Sequence, residues 1–310
     1  MKRRYIILIV VLVGVLLLSL EIGPTRGADR NIILNLRLPR LILSILVGGS
    51  LGLVGTSLQG ILLNPLADPY ILGIASGAAF GSCLSIVIGV DKIYLTPVFS
   101  FAGAIFAMFV VYSLASFKGK VPKDTLLLSG VLVGFFFSSL VMLIMVIAGK
   151  ELHHIIYILM GNLGIVWQRS LIPFFILFLV IDIYGIVLIY SYRRELNILS
   201  LGEERAKEIG VDADRIKKTM FIISSLLIGM QVSICGQIGF VGLVVPHIAR
   251  LMFGPDHKVI IPTSFILGPI IVVIADTIAR TVAPFEIPVG VITSLFGVPF
   301  FAYLLRRRKS

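Results

Sequence analysis

Apolar residues occur along this chain in long blocks, and short polar segments separate one block from the next. Most blocks approach the ~20 residues that an α-helix needs to cross a bilayer core about 30 Å thick. The blocks predict ten transmembrane helices, at residues 5–20, 40–63, 70–90, 96–116, 125–148, 171–192, 219–235, 239–253, 259–283 and 288–305. The predicted fold is therefore an all-α polytopic membrane protein in which residues 1–310 form a single transmembrane domain.

The composition agrees with this pattern. Hydrophobic residues make up 58% of the chain and charged residues 14%, and the mean hydropathy is +1.06, whereas a soluble domain is about 45–50% apolar. A soluble protein is therefore excluded. Both cysteines, Cys83 and Cys235, lie inside apolar blocks, which favours packing residues over a disulfide framework.

Positive charge indicates the orientation in the membrane. Most of the 27 lysines and arginines fall in segments 2–4, 118–123, 193–218 and 306–309, and cytoplasmic loops are the ones that collect such residues. Both termini are therefore predicted to be cytoplasmic, in a multi-pass protein of the cytoplasmic (inner) membrane. The net charge of +11 then reflects topology. The sequence has no basic face interleaved with aromatic residues, so it does not indicate nucleic-acid binding. The first block lacks a small-x-small cleavage site, so we predict a retained helix.

Four arginines work against this charge rule, because they fall in one short external segment: Arg26, Arg30, Arg37 and Arg40. Interfacial arginines can extend to the phosphates of membrane lipid. They can equally dock an acidic protein, since a guanidinium forms planar, permanently charged pairs with carboxylates. The residues alone leave both interpretations open.

The inner loop at 193–218 is the only extended charged stretch of the chain. It can be a solvated surface helix. Its layout is more specific, since a short helix from Ser200 to Ile209 would end at Gly210 and Asp212 could cap a second short helix. The loop therefore predicts two short helices joined at a glycine.

Four motifs carry a family resemblance: RLPR at 37–40, NPLADP at 64–69, LGEERA at 201–206 and GFVGLVVPHIAR at 239–250. In these motifs the chain resembles the permease subunits of the ABC importers that take up iron-siderophores, haem and cobalamin. The resemblance implies a homodimer of this chain, two ATP-binding cassette subunits and an extracytoplasmic substrate-binding protein. It also implies a metal chelate as cargo, with a ferric siderophore first and haem or cobalamin next.

The same resemblance implies roles for particular residues. Docking of the binding protein falls to Arg37, Arg40 and Arg280, although Asp276 and Arg280 also have the spacing of an ion pair within one helix. Contact with the ATPase falls to Leu201, Gly202, Glu203, Ala206 and Gly210.

Two further sites follow from the resemblance. The cytoplasmic gate would be Lys123, Asp124 and Thr125, although Asp124 can instead simply cap its helix. The mouth of the pathway would be Met160, Gly161 and Asn162, within YILMGNLGIVW at 157–167. Asn162 stands where the family has serine, and Ile158 where it has tryptophan.

Catalytic motifs are nearly absent from the sequence. Without a G-x-x-x-x-G-K-[ST] loop the chain is not expected to hydrolyse ATP, so it is not an enzyme, holds no cofactor, and leaves ATP and Mg to the partner ATPase. His153 and His154 are expected to be external interfacial residues without metal. Asp182, an acid inside a span, supports a rival hypothesis, an ion-coupled secondary transporter.

Overall fold

The computed structural model describes residues 2–23, 29–90, 94–164 and 171–307, and these residues are almost entirely helical. A π-helical turn at Ile33–Arg37 and 3-10 turns at Pro69–Leu72 and Gly149–Glu151 accompany the α-helices. The helices are α1 Lys2–Glu21, α2 Arg30–Ile32, α3 Leu38–Ile61, α4 Ile74–Val87, α5 Leu95–Ala115, α6 Lys123–Ile147, α7 Leu152–Leu159, α8 Ile172–Ser191, α9 Arg193–Leu199, α10 Glu203–Glu208, α11 Ala213–Cys235, α12 Val241–Phe253, α13 His257–Ala279 and α14 Val289–Arg307.

This architecture confirms the all-α polytopic prediction. Within the described residues, seven helices are long and apolar enough to cross a membrane, those that contain α1, α3, α5, α6, α8, α11 and α13. The third, eighth and tenth predicted spans correspond to shorter apolar helices, at Ile74–Val87, Val241–Phe253 and Val289–Tyr303. The count of ten crossings and the cytoplasmic termini stay predictions.

The third span is shorter than predicted because the residues at the end of NPLADP and just after it, Pro69–Leu72, form a 3-10 turn and not an α-helix. Asp68 accepts a hydrogen bond from the Tyr70 amide at 2.8 Å and begins the 3-10 turn. The chain then enters α4 through Gly73. Two prolines flank this segment, and a proline supplies no amide hydrogen to continue a helix. The helix therefore begins at Ile74, four residues later than the pattern predicted.

Glycines let the central helix α3 lie against its neighbours backbone to backbone. A Cβ atom built on Gly55 would lie 1.8 Å from the carbonyl oxygen of Gly242 in α12, and one on Gly48 would lie 2.5 Å from the carbonyl carbon of Gly268 in α13. Small residues favour such close approach in membranes, where lipid supplies no hydrophobic drive between helices. The two contacts fix α3 between α12 and α13.

We expect Gly55→Ala to destabilise the protein by about 1–3 kcal/mol, because the added methyl group would push α3 away from α12. The matched control is Gly134→Ala, since a Cβ atom there would lie 3.5 Å from the Gly73 Cα, an ordinary contact. Thermal unfolding in detergent compares the two variants. Equal melting temperatures for both would show that the α3–α12 approach does not limit stability.

Candidate functional site

A group of charged side chains, all buried except Glu286, lies at one end of the bundle, where α3, α13 and the α13–α14 loop meet. Arg40 donates from Nε to Asp276 Oδ1 at 2.6 Å and from Nη1 to both carboxylate oxygens of Glu286 at 3.0 Å. Arg280 donates from Nη2 to the backbone oxygen and the hydroxyl of Ser19, and its Nε lies 3.5 Å from Asp276 Oδ2. This end thus pairs two guanidinium groups with two carboxylates.

The three arginines implied in docking are all buried in this chain. Arg37, Arg40 and Arg280 are 6%, 8% and 6% exposed. Arg37 donates from Nη1 to the backbone oxygens of Leu20 and Glu21, at 2.6 and 2.9 Å, which holds the end of α1. Docking therefore stays a prediction, and the observed contacts of these side chains are internal.

Sequence reasoning missed the main partners in this group. It paired Asp276 with Arg280 on the same helix, but the shorter contact of Asp276 is with Arg40, which lies 236 positions away in the chain. Glu286 was not identified at all. Its one signal is a carboxylate between Pro284 and Pro288, in a loop predicted to be external.

The predicted pathway mouth lies beside this group. The Asn162 amide donates to the Cys235 oxygen at 2.7 Å, and its side-chain Oδ1 accepts from the Gly164 amide at 2.7 Å. A Cβ atom on Gly161 would lie 2.1 Å from the Gln237 oxygen, so this segment is pressed against the α11–α12 connection. Trp167 of the same motif, like Arg26, lies outside the described residues.

Met160 lines a cavity of about 710 Å³ at this mouth. Its other walls come from the α11–α12 connection and from α14, and the polar groups that line it are Tyr70, Gln237 and Ser294. The Tyr70 hydroxyl is held in place, since it lies 3.1 Å from Gln231 Oε1 and accepts from the Ile238 amide at 2.9 Å. The cavity is mostly apolar with a few fixed polar groups, as ligand sites commonly are.

The charged inner loop forms two short helices, α9 and α10, at the opposite end of the bundle. Gly210 follows α10 with a φ of +80°, a conformation that suits glycine. Asp212 Oδ1 accepts from the Arg215 amide at 3.0 Å, and so it caps the long helix α11. The prediction of a second short helix after Gly210 is therefore wrong, because the last residues of the loop are the first turns of a span.

Two residues expected to contact the ATPase have internal partners. Glu203 Oε2 lies 3.0 Å from Nζ of Lys217, a lysine that is only 1% exposed and that also pairs with Asp214 at 3.1 Å. Ala206 is fully buried in the main apolar core. These contacts hold α10 on the bundle, whereas Leu201 and Ile209 project from its two ends, each 62% exposed.

The predicted gate lies next to α10. A cavity of about 640 Å³ is lined by Lys123 and Asp124 on one side and by residues 201–205 on the other. The alternative that Asp124 caps its helix is wrong, because the cap position belongs to Pro122 and Asp124 lies within the first turn. Thr125 is exposed on the same turn. Gate and loop are thus neighbours, which their spacing in sequence did not show.

A second connection ties the inner loop to α13. Asn197 donates from Nδ2 to Asp256 Oδ1 at 2.7 Å, and its Oδ1 accepts from the His257 amide at 2.8 Å. The hydrogen bond from Asn197, together with the one from the Lys258 amide, holds the pKa of Asp256 below its ordinary value. Sequence reasoning missed this contact of Asn197, since asparagine in a charged loop carries no signal of its partner.

The remaining candidate residues are Asp182, His153 and His154. Asp182 is 1% exposed and accepts from the Ser50 hydroxyl, while its Oδ2 has no hydrogen-bond partner in the described part of the chain. His153 and His154 are exposed on α7. Among the described residues, no group of three His, Cys, Asp or Glu side chains could hold a metal ion.

Comparison with known proteins identifies the family. The chain belongs to the FecCD transport family, whose model matches residues 5–307. Over 278 residues it is 44% identical to the cobalamin import system permease protein BtuC of Halobacterium salinarum, covering 88% of this chain and 73% of that protein. It is 37% identical over 286 residues to the Fe(3+)-citrate import system permease protein YfmD of Bacillus subtilis, covering 91% and 83%.

The fold has a solved counterpart. A metal-chelate type ABC transporter, in an inward-facing conformation, matches with a TM-score of 0.86 and 32% identity over 96% of this chain and 97% of that one. The family resemblance stated from the motifs is thereby confirmed. The chain is a multi-pass permease subunit of an ABC importer of the metal-chelate class.

Proposed function

We propose that two copies of this chain form a pathway for an intact metal chelate, with two ATP-binding cassette subunits at the inner loop and a binding protein at the arginine end. The separation of two polar ends supports this. The helix α13 has 23 residues, about 34 Å at 1.5 Å per residue, with the Asn197 connection at its start and Asp276 near its end. The one helix α13, which contains Pro262 and Pro269, thus joins the two places where partners would bind.

The inner end has the features of a protein contact. Leu201 and Ile209 expose apolar side chains on either side of a charged helix, a pattern that a partner surface can cover. Because α10 also lines the cavity beside Lys123, a displacement of α10 would reach the gate residues directly. ATP and Mg would be bound by the partner, and this chain would supply the moving parts.

The cargo would be recognised by its outer shape. The mouth cavity offers apolar walls and the polar groups of Tyr70, Gln237 and Ser294, which suit an organic ligand that already surrounds its metal. The relative with 44% identity is named for cobalamin, and this moves cobalamin ahead of the ferric siderophore that the motifs favoured. The ferric citrate relative keeps iron chelates second.

Uptake into proteoliposomes tests the proposal. With the cognate ATPase, binding protein and internal ATP, we expect labelled cobalamin to accumulate faster than a ferric siderophore. The purified chain alone should show no ATPase activity, and an ion gradient without ATP should drive no uptake. Gradient-driven uptake that Asp182→Asn abolishes would instead favour the secondary-transporter hypothesis.

A further inference from the structure

Arg40 holds two carboxylates of very different character. Asp276 is buried, with a side chain that is 4% exposed, whereas the side chain of Glu286 is 44% exposed. A half-exposed ion pair is weak and is screened by salt, while a buried one is hard to break. One partner of Arg40 is therefore fixed and the other can be exchanged.

Arg40 also has unused capacity to donate hydrogen bonds. Its Nη2 is buried and has no acceptor among the residues that the structure describes. A guanidinium offers five N–H donors in a planar fork, and carboxylates accept two of them side by side. A second carboxylate approaching this fork could take Nη1 and Nη2 together, which Glu286 does not do here.

The Arg40–Glu286 pair touches the mouth of the pathway. A Cβ atom on Gly164 would lie 2.9 Å from Glu286 Oε2 and 3.0 Å from Arg40 Nη1, so the mouth segment packs directly on the pair. Glu286 lies in the loop that leads into α14. The first turn of α14 packs on the mouth too, since a Cβ atom on Gly290 would lie 2.3 Å from the Met160 oxygen. The pair thus ties α3, α14 and the mouth together.

We infer that Glu286 occupies Arg40 in place of a docking protein's carboxylate, and that docking exchanges one for the other and frees the α13–α14 loop. This inference rests on the proposed docking of an acidic binding protein. The exchange keeps Arg40 paired with two carboxylates, and the displaced Glu286, whose side chain is already 44% exposed, turns to solvent. Val282 and Phe285, 69% and 72% exposed beside Glu286, offer apolar surface for the same partner.

Glu286→Gln, compared with Asp29→Asn, tests the exchange. Both variants remove one carboxylate from the external side, but the Asp29 side chain makes no cap hydrogen bond at its helix and is exposed. Binding of the loaded binding protein to the nucleotide-free importer is measured in phosphatidylcholine nanodiscs at low salt. We expect Glu286→Gln to tighten binding about fivefold, which corresponds to ~1 kcal/mol, and Asp29→Asn to change it less than twofold.

The other outcomes separate the two hypotheses. Equal affinities for Glu286→Gln and Asp29→Asn, with wild-type binding intact, would overturn the exchange and leave docking standing. Wild type that does not bind at all would overturn docking itself. A difference that appears only with anionic lipid in the nanodisc would assign Arg40 to a lipid headgroup instead. A spin label at Val282 should also become more mobile in Glu286→Gln and stay unchanged in Asp29→Asn.

Discussion

Replacing Glu203 by lysine should reduce ATP-driven uptake at least tenfold while leaving the chain in the membrane. The new ammonium group would stand about 3 Å from Nζ of Lys217, which is almost completely buried and cannot turn to solvent. Loss of a charged partner costs about 1–3 kcal/mol, and here Asp214 would still hold Lys217. We therefore expect α10 to detach locally from α11 without global unfolding. Uptake and thermal unfolding are measured on the same preparation.

A charge-swapped pair identifies the cause of this loss. The variant Glu203→Lys with Lys217→Glu also carries Asp214→Asn, because the new carboxylate at position 217 would otherwise stand beside the Asp214 carboxylate. It restores an ion pair of opposite polarity and should regain part of the uptake. Glu204→Lys is the matched control, since Glu204 is exposed on the same turn and has the same change of charge. If the swap rescues nothing while stability is normal, then Glu203 acts on the ATPase itself, as the motif first suggested.

The helices could be predicted from sequence because each depends on a local pattern. Apolar blocks of bilayer length gave α3, α6 and α13 near their observed bounds. The position of Gly210 also predicted the end of the short helix α10 in the inner loop. One local prediction failed, the second short helix after Asp212. A capping residue has the same sequence signature before a short helix and before a long one.

The partners of the charged side chains could not be predicted, since they depend on contacts between distant parts of the chain. Nothing near Arg40 in sequence indicates Asp276 or Glu286, and nothing near Asn197 indicates Asp256. Burial changed the interpretation as well. Ala206 was assigned to ATPase contact by the family resemblance of the LGEERA motif, but it packs in the core. A motif names the residues of a site without showing which of them face outward.

The two connections of α13 suggest how the ends of the bundle communicate. Asn197 in the inner loop accepts a hydrogen bond from the His257 amide in its first turn, and Asp276 in its last turns pairs with Arg40 and Arg280. Pro262 and Pro269 lie inside α13, and each removes one backbone hydrogen bond, so the helix can bend at these two positions. We expect a shift of the inner loop to reach the ion pairs of Asp276 through a bend or a tilt of α13.

Arg40→Met alone should destabilise the protein by about 3–5 kcal/mol, because it leaves the buried carboxylate of Asp276 without its closest cation. Combined with Asp276→Asn, it should recover most of that stability, since removing both charges of a buried pair is often close to neutral. The double variant keeps the net charge and retains an acceptor for Arg280. Thermal unfolding in detergent compares the two variants with wild type.

The double variant then separates docking from folding, which charge reversal at a buried arginine cannot do. If Arg40 receives a carboxylate of the binding protein, the folded double variant should bind that protein at least tenfold more weakly in low salt. The deficit should shrink as salt rises, because screening already weakens the wild-type contact. Wild-type affinity at every salt concentration in a stable double variant would make Arg40 a purely structural residue, held by Asp276 and Glu286 to close the external end of the bundle.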